Sequence, residues 1–123
     1  FCIYCVNLQT DEFIEYSTSD AYQILSIEKG GKDFFNMSRE NSRRVCYQDD
    51  QKNFLASFTK ENVIRSLNNN GVFTLTYRIV FDGTPTYVHM KATRMRDKND
   101  PNIVIGVSNI DEQIRREHER HRL

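Results

Sequence analysis

The 123 residues predict an α+β fold: one antiparallel sheet of about five strands, short helices grouped on one face, and an exit helix at the C-terminus. Strand-like, alternating segments stand at both ends of the chain and helical spacing fills its middle. An Asp82-Gly83 dipeptide joins the two longest strand-like runs. The length suits a single compact domain that buries its own core. With 17 acids against 17 bases and 38% hydrophobic residues, composition argues against disorder and against a broad basic face for nucleic acid. No apolar run approaches the roughly 20 residues that span a bilayer, and no basic, apolar leader opens the chain, so a cytoplasmic location is expected. The chain starts without Met and stops inside a charged helical pattern, so a longer parent with its output beyond Leu123 is also expected.

The opening "FCIYCVNLQTDEFIEYST" is aromatic and β-branched, with a turn around Thr10 and Asp11, and predicts a hairpin. Thr18, Ser19 or Asp20 can cap a helix carrying Ala21, Ile24 and Leu25, with Gly30-Gly31 as its terminator. Further short helices are predicted at "KDFFNMS", "SRRVC", "DDQKNFLASF" with Asp49 as cap, and "TKENVIRSL" with Thr59 as cap, ended by "NNNG". That makes four or five short helices.

Next, "VFTLTYRIVF" and "TYVHMKATRM" flank Asp82-Gly83, which favours the positive φ angles of a two-residue hairpin turn. The implied register sets Tyr77 opposite Val88, Leu75 opposite Met90 and Phe73 opposite Ala92, uniting the apolar residues on one face. The other face pairs Arg78 with Tyr87, Thr76 with His89 and Thr74 with Lys91. "NIVIGVSNI" is apolar at both parities and predicts an interior strand, with Gly106 permitting a close approach. From Ile110, "IDEQIRREHERHRL" is helical, its early acids and later arginines matching the helix dipole, with four-residue pairs Asp111–Arg115 and Glu112–Arg116.

Candidate chemistry is sparse. Cys2 and Cys5 have C-x-x-C spacing, but in a strand residues three apart face opposite ways, so we read them and Cys46 as small buried hydrophobes. His118 and His121 are too distant in sequence for a zinc-finger pattern and are expected on a solvated helix. His89 falls on the outward sheet face, and Asp49 and Asp50 suit a helix N-terminus. No P-loop, dinucleotide fingerprint or nucleophile elbow occurs, so no catalytic residue and no metal site is expected.

The order of elements resembles a PAS domain. The likeness is carried by "CYQDDQKNFLASF", similar to the family's "hPDD" helix start, by "YRIVFDGTPTYVHMKATRM", and by "IVIGVSNIDEQIRRE", in which Asn109, Ile110 and Asp111 stand where the family has its closing D-I-T junction. It spans essentially the whole chain, most closely PAS segments that precede GGDEF diguanylate cyclases in Gram-positive bacteria. The resemblance implies a sensory input domain over 1–109, followed by the start of a signalling helix over 110–123. It also implies a homodimer and a downstream output domain in the same chain. It implies a small molecule between helices and sheet, with Tyr22, Phe54, Phe58, Phe73, Leu75, Tyr77, Val88, Met90 and Ala92 as pocket candidates. Neither flavin nor haem is expected: "RRVCYQ" lacks the flavin-reactive loop, and His89 points away from the pocket. Transmission falls to Asn109, Ile110, Asp111 and Ile114. Thr76, Tyr87 and His89 are interface candidates for the alternative, a ligand-free dimerisation module. The stretch "GGKDF" at Gly30–Phe34 approaches the GGDEF signature itself, but Lys32 puts a cation where metal and phosphate binding need an acid. We read it as a linker between helices.

Overall fold

The computed structural model describes the backbone of residues 2–18, 25–81, 83–111, 113–114 and 116–117, and their side chains apart from 17, 18, 25–29 and 81. The elements in chain order are β1 (Cys2–Asn7), β2 (Phe13–Thr18), β3 (Leu25–Gly31), α1 (Phe34–Val45), α2 (Gln48–Ser57), α3 (Lys60–Asn70), β4 (Phe73–Phe81), β5 (Thr84–Arg94) and β6 (Asn102–Asn109). All the pairings are antiparallel and build one sheet in the order β3-β2-β1-β6-β5-β4. This is the α+β architecture expected, a single antiparallel sheet with its helices on one face, with one strand more.

The two hairpins form for local reasons. Between β1 and β2, the Asn7 side-chain oxygen accepts from the Gln9 and Thr10 N–H groups (2.8 and 3.3 Å), and the Asp11 N–H donates to the Asn7 carbonyl (2.7 Å), closing an Asx-type turn. Between β4 and β5 the register runs from Phe73 opposite Ala92 to Phe81 opposite Thr84, every expected pair included, and Gly83 takes a positive φ of 77°. A two-residue turn needs that sign of φ to match the strand twist. β6 lies between β1 and β5, as its two-sided apolar pattern implies. A Cβ on Gly106, however, would meet nothing within 4 Å, so that glycine serves no close approach.

The helices cover one face. Even-numbered positions of β1 and β5 and odd-numbered positions of β4 and β6 meet them, and Val6, Phe73, Met90, Ala92, Ile103 and Ile105 are buried there. Phe58 is 0% exposed, with ring centroids at 5.4 Å from Phe35, 5.4 Å from Phe54, 6.1 Å from Phe73 and 6.2 Å from Phe34. Arg39 of α1 donates through Nη1 to the Leu55 and Phe58 carbonyls, satisfying acceptors that the end of α2 leaves open. Thr59 caps α3 as expected, accepting from the Asn62 N–H at 3.1 Å, and Gly71 ends it at φ 78°.

Three expectations change. The segment before Gly30-Gly31 is not helical where it is described: Leu25–Gly31 is an edge strand on β2. Leu25-Ser26-Ile27-Glu28 alternates with period two, and pairing to β2 outweighs the helical spacing. The cap and first turn proposed at Ser19, Asp20, Ala21 and Ile24 lie outside the described residues. "GGKDF" therefore joins a strand to a helix, and its glycines answer to packing: a Cβ on Gly31 would sit 2.9 Å from the Phe13 ring. "KDFFNMS" and "SRRVC" form one continuous helix, α1, since no Gly or Pro interrupts them, so three helices rather than four or five lie between β3 and β4. Finally, Tyr47, not Asp49, is the N-cap of α2, and the acid that matters in its first turn is Asp50.

Candidate functional site

The helix stripe of α1 that faces the sheet begins with Phe34 and continues one turn at a time through Ser38, Asn41, Ser42 and Val45. Between Phe34 and Val45 it carries small polar groups where a core helix usually carries Leu or Phe. The space they leave unfilled is a cavity of about 200 Å³. Its floor is the sheet: Cys2 and Tyr4 of β1, Val107 of β6, Met90 of β5, Tyr77 and Ile79 of β4. Cys46 and Phe54 close the side towards α2. The rings of Tyr4 and Phe34 stand 5.2 Å apart, those of Phe54 and Tyr77 4.9 Å apart. Tyr4, Phe34, Ser38 and Asn41 also line a wider cleft of about 650 Å³ bordered by Asn36, Glu40 and Arg43, so these four form a threshold between cavity and outside.

Among the described residues no charged side chain lines the cavity. Burial pushes the Cys46 thiol up to about 11, with the Asp50 carboxylate adding to the shift. Burial likewise raises Tyr77, helped by the Cys46 and Cys2 thiols, and raises Tyr4 and Cys2, with Glu15 adding to both shifts. The Cys2 thiol donates onward to Glu15 Oε2 at 3.8 Å. At neutral pH the cavity thus presents two phenols and two thiols, all protonated. Ser42 is buried but satisfied, its hydroxyl donating to the Arg39 carbonyl at 2.7 Å.

A second cluster lies beside the cavity. Arg78 of β4 donates through its N–H and Nε to Asp50 Oδ2 (2.9 and 2.8 Å) and through Nη2 to Asp50 Oδ1 (2.8 Å), a bidentate pair with one backbone bond added. These bonds hold the Asp50 carboxyl below its ordinary range and push the Arg78 guanidinium above its own. The guanidinium lies over the Tyr47 ring at 4.5 Å and the Tyr87 ring at 5.5 Å. The Tyr47 N–H donates to the Arg78 carbonyl at 2.8 Å, and Cys46 bridges to Ile79, so the α1–α2 corner is stitched onto β4. Tyr87 continues the chain of contacts: its carbonyl accepts from the Ile110 N–H at 3.0 Å and its N–H donates to Asp111 Oδ1 at 3.3 Å. Asn109 Oδ1 accepts from the Asp111 N–H at 2.9 Å, and the backbone is helical at Asp111, Gln113, Ile114, Arg116 and Glu117.

The pocket candidates divide. Phe54, Tyr77 and Met90 line the cavity. Phe58, Phe73 and Ala92 are filled core, with Leu75 packed against it. Val88 is buried opposite Tyr77 without reaching the cavity wall, and Tyr22 lies outside the described residues. The transmission residues Asn109, Ile110 and Asp111 meet at Tyr87, and the Ile114 N–H donates to the Ile110 carbonyl at 3.0 Å. Thr76 and His89 are bonded to each other (Oγ1 to Nδ1, 3.0 Å) on the outer face, which Tyr87 shares. Cys2 faces the cavity while Cys5 lies on the opposite face. Among the described residues no three His, Cys, Asp or Glu side chains gather as a metal site, and no helix is long and apolar enough to cross a membrane. His118 and His121 lie outside the described residues.

Sequence reasoning missed Cys2, Tyr4, Ser38, Asn41, Ser42 and Cys46 as cavity residues. The parity of β1 puts Cys2, Tyr4 and Val6 on one face, but nothing local says that β1 lies against β6. No protein-family model matches the chain, and none of the curated proteins does. A solved structure similar to it is that of an RNA-binding light-oxygen-voltage receptor, at 7% sequence identity and a TM-score of 0.48. The match covers 98% of this chain and 30% of the receptor, so the chain spans under a third of that protein's length.

Proposed function

We propose that the chain is a non-catalytic sensory input domain of a cytoplasmic signalling protein, binding a small molecule in the cavity beneath α1 and regulating an output domain through the helix that starts at Ile110. The observation that carries this reading is the position of Arg78. One end of its contacts, Tyr47 and Asp50, belongs to the corner that walls the cavity through Cys46 and Phe54. The other end, Tyr87, holds Ile110 and Asp111 by two hydrogen bonds. A ligand that shifts α1 and α2 changes the strength of the Asp50–Arg78 pair, and with it the seat of the exit helix. Such a ligand acts only by its differential affinity for the two arrangements. The likeness to PAS segments ahead of diguanylate cyclases makes a GGDEF domain the proposed output.

The second reading is a ligand-free dimerisation module. It is favoured by the outer sheet face, where Ile14 and Val80 are each 42% exposed and Tyr87 and His89 are half-buried. Native mass spectrometry, followed by denaturing mass analysis of what is released, separates the two. A small mass that co-purifies with the chain and is lost in Ser38→Met, which fills the cavity, is expected. A dimer free of adduct in every preparation overturns the sensor reading in favour of the second. In the full-length protein, Ile110→Asp is expected to uncouple output from stimulus. An output unchanged in both response and basal level would show that the junction transmits nothing.

A further inference from the structure

The cavity itself restricts what it can hold, and this inference rests on the sensor reading above. We infer that the ligand is an uncharged, single-ring aromatic compound bearing one carbonyl-type acceptor, with the ring between Phe34 and Phe54 and the acceptor on the Tyr77 hydroxyl. Size comes first. About 200 Å³ lies below the roughly 300–1,000 Å³ of sites for drug-sized molecules and a little above the ~150 Å³ that accommodates benzene in an engineered core. One ring with a short substituent fits; a fused tricyclic or porphyrin does not.

Charge comes next. With no cationic or anionic side chain among the described residues of the wall, a carboxylate or ammonium ligand would lose its hydration without gaining a partner there, a cost of several kcal/mol. The walls suit an aromatic ring instead: Tyr4, Phe34, Phe54 and Tyr77 line the space, together with Met90.

The polar anchor follows by elimination among the cavity's donors. Cys2 is engaged with Glu15 and Ser42 with Arg39. Tyr4, Ser38 and Asn41 stand on the threshold, open to the outer cleft, and the Cys46 thiol is a weak donor. Tyr77 is left: it lines the cavity and not the cleft, and among the described residues nothing accepts from its hydroxyl. A phenol O–H needs an acceptor when it leaves water, and a ketone or aldehyde oxygen supplies one without bringing charge. An ether or alkyl substituent satisfies this less well or not at all.

Acetophenone, ethylbenzene and benzoate test each clause, since they differ little in size while presenting a carbonyl, no acceptor and a charge. Their affinities are read from ¹H–¹⁵N NMR titrations of the chain and of Tyr77→Phe, following the amides of Tyr77, Met90 and Val107. Acetophenone is expected to bind about fivefold or more tightly than ethylbenzene, the worth of one neutral hydrogen bond. That preference should vanish in Tyr77→Phe with ethylbenzene affinity unchanged, and benzoate should leave the spectra unmoved. Equal binding of acetophenone and ethylbenzene to the wild-type chain, or benzoate binding tightest, overturns the ligand class while keeping the cavity as a site. If none of the three moves these amides in a well-dispersed spectrum, the ligand class is overturned, while the sensor reading stands or falls separately with the co-purifying mass.

Discussion

The inner face of the sheet has two ends, and they are packed differently. In the row Tyr4–Ile105–Ala92–Phe73 and beyond it, Ile103, Ile105 and Ala92 are 0% exposed beneath α2 and α3, where Val63 and Leu67 of α3 and Phe58, which follows α2, fill the gaps between strands. One row along, Cys2–Val107–Met90–Leu75 meets α1, and there the helix offers Ser38, Asn41 and Ser42. Strand side chains of ordinary size face both ends, so the difference is made by the helices. A void in a core forfeits dispersion contacts and costs stability. A sequence that fills one end with Phe58, Val63, Leu67 and Phe73 and leaves the other with two serines and an asparagine therefore keeps its stability and its binding capacity in separate places.

Phe58→Ala should break that comparison most sharply. Its ring touches four others and has no exposed edge, so the loss should be about 3–5 kcal/mol, read as a fall in the urea midpoint at unchanged slope. A loss under about 1 kcal/mol would mean that the α2–α3 end relaxes around a missing ring and is no better packed than the cavity end.

The boundary between the two ends is the Asp50–Arg78 pair, and pH probes it. Arg78 holds the folded Asp50 carboxyl below its ordinary value, so the stabilisation is present above the unfolded carboxyl's pKa of about 3.9 and is lost as pH falls through the folded value. Both side chains keep some solvent exposure, 28% and 22%, which makes the effect smaller than that of Phe58. Thermal melts of the chain and of Asp50→Asn should differ by a constant amount from pH 7 down to about 4.5 and converge below about pH 3. Melts that stay equally far apart at acid pH would show that Asp50 acts by packing and not by charge.

How much of this was legible depends on how far each feature reaches along the chain. The β4–β5 hairpin could be read residue by residue because the turn dipeptide and both alternating runs lie within about twenty positions. β3 could not, because its seven residues satisfy a helical period nearly as well as a strand period and only the distant edge of β2 decides between them. The cavity was legible by halves. Tyr77 and Met90 belong to the readable hairpin, whereas Cys2, Tyr4 and Cys46 come to the same space only through the β1–β6 pairing and the bridge from Cys46 to Ile79. The Asp50–Arg78 pair spans 28 residues, and no local pattern announces it. What local pattern did offer at Asp50, a helix N-terminus, is true but secondary.

The smallest expected effect tests the open end directly. Tyr77→Phe keeps the ring and its 4.9 Å contact with Phe54, and removes only the hydroxyl of this cavity-lining residue. In a filled core such a deletion strands a partner and costs about 1–3 kcal/mol. Here no protein partner is stranded, so stability in urea should stay within about 0.5 kcal/mol of the parent. A substitution that is silent for folding and loud for acetophenone affinity separates the two ends by function. A loss of 1 kcal/mol or more would place that hydroxyl in the structural hydrogen-bond network and return the space around it to the core.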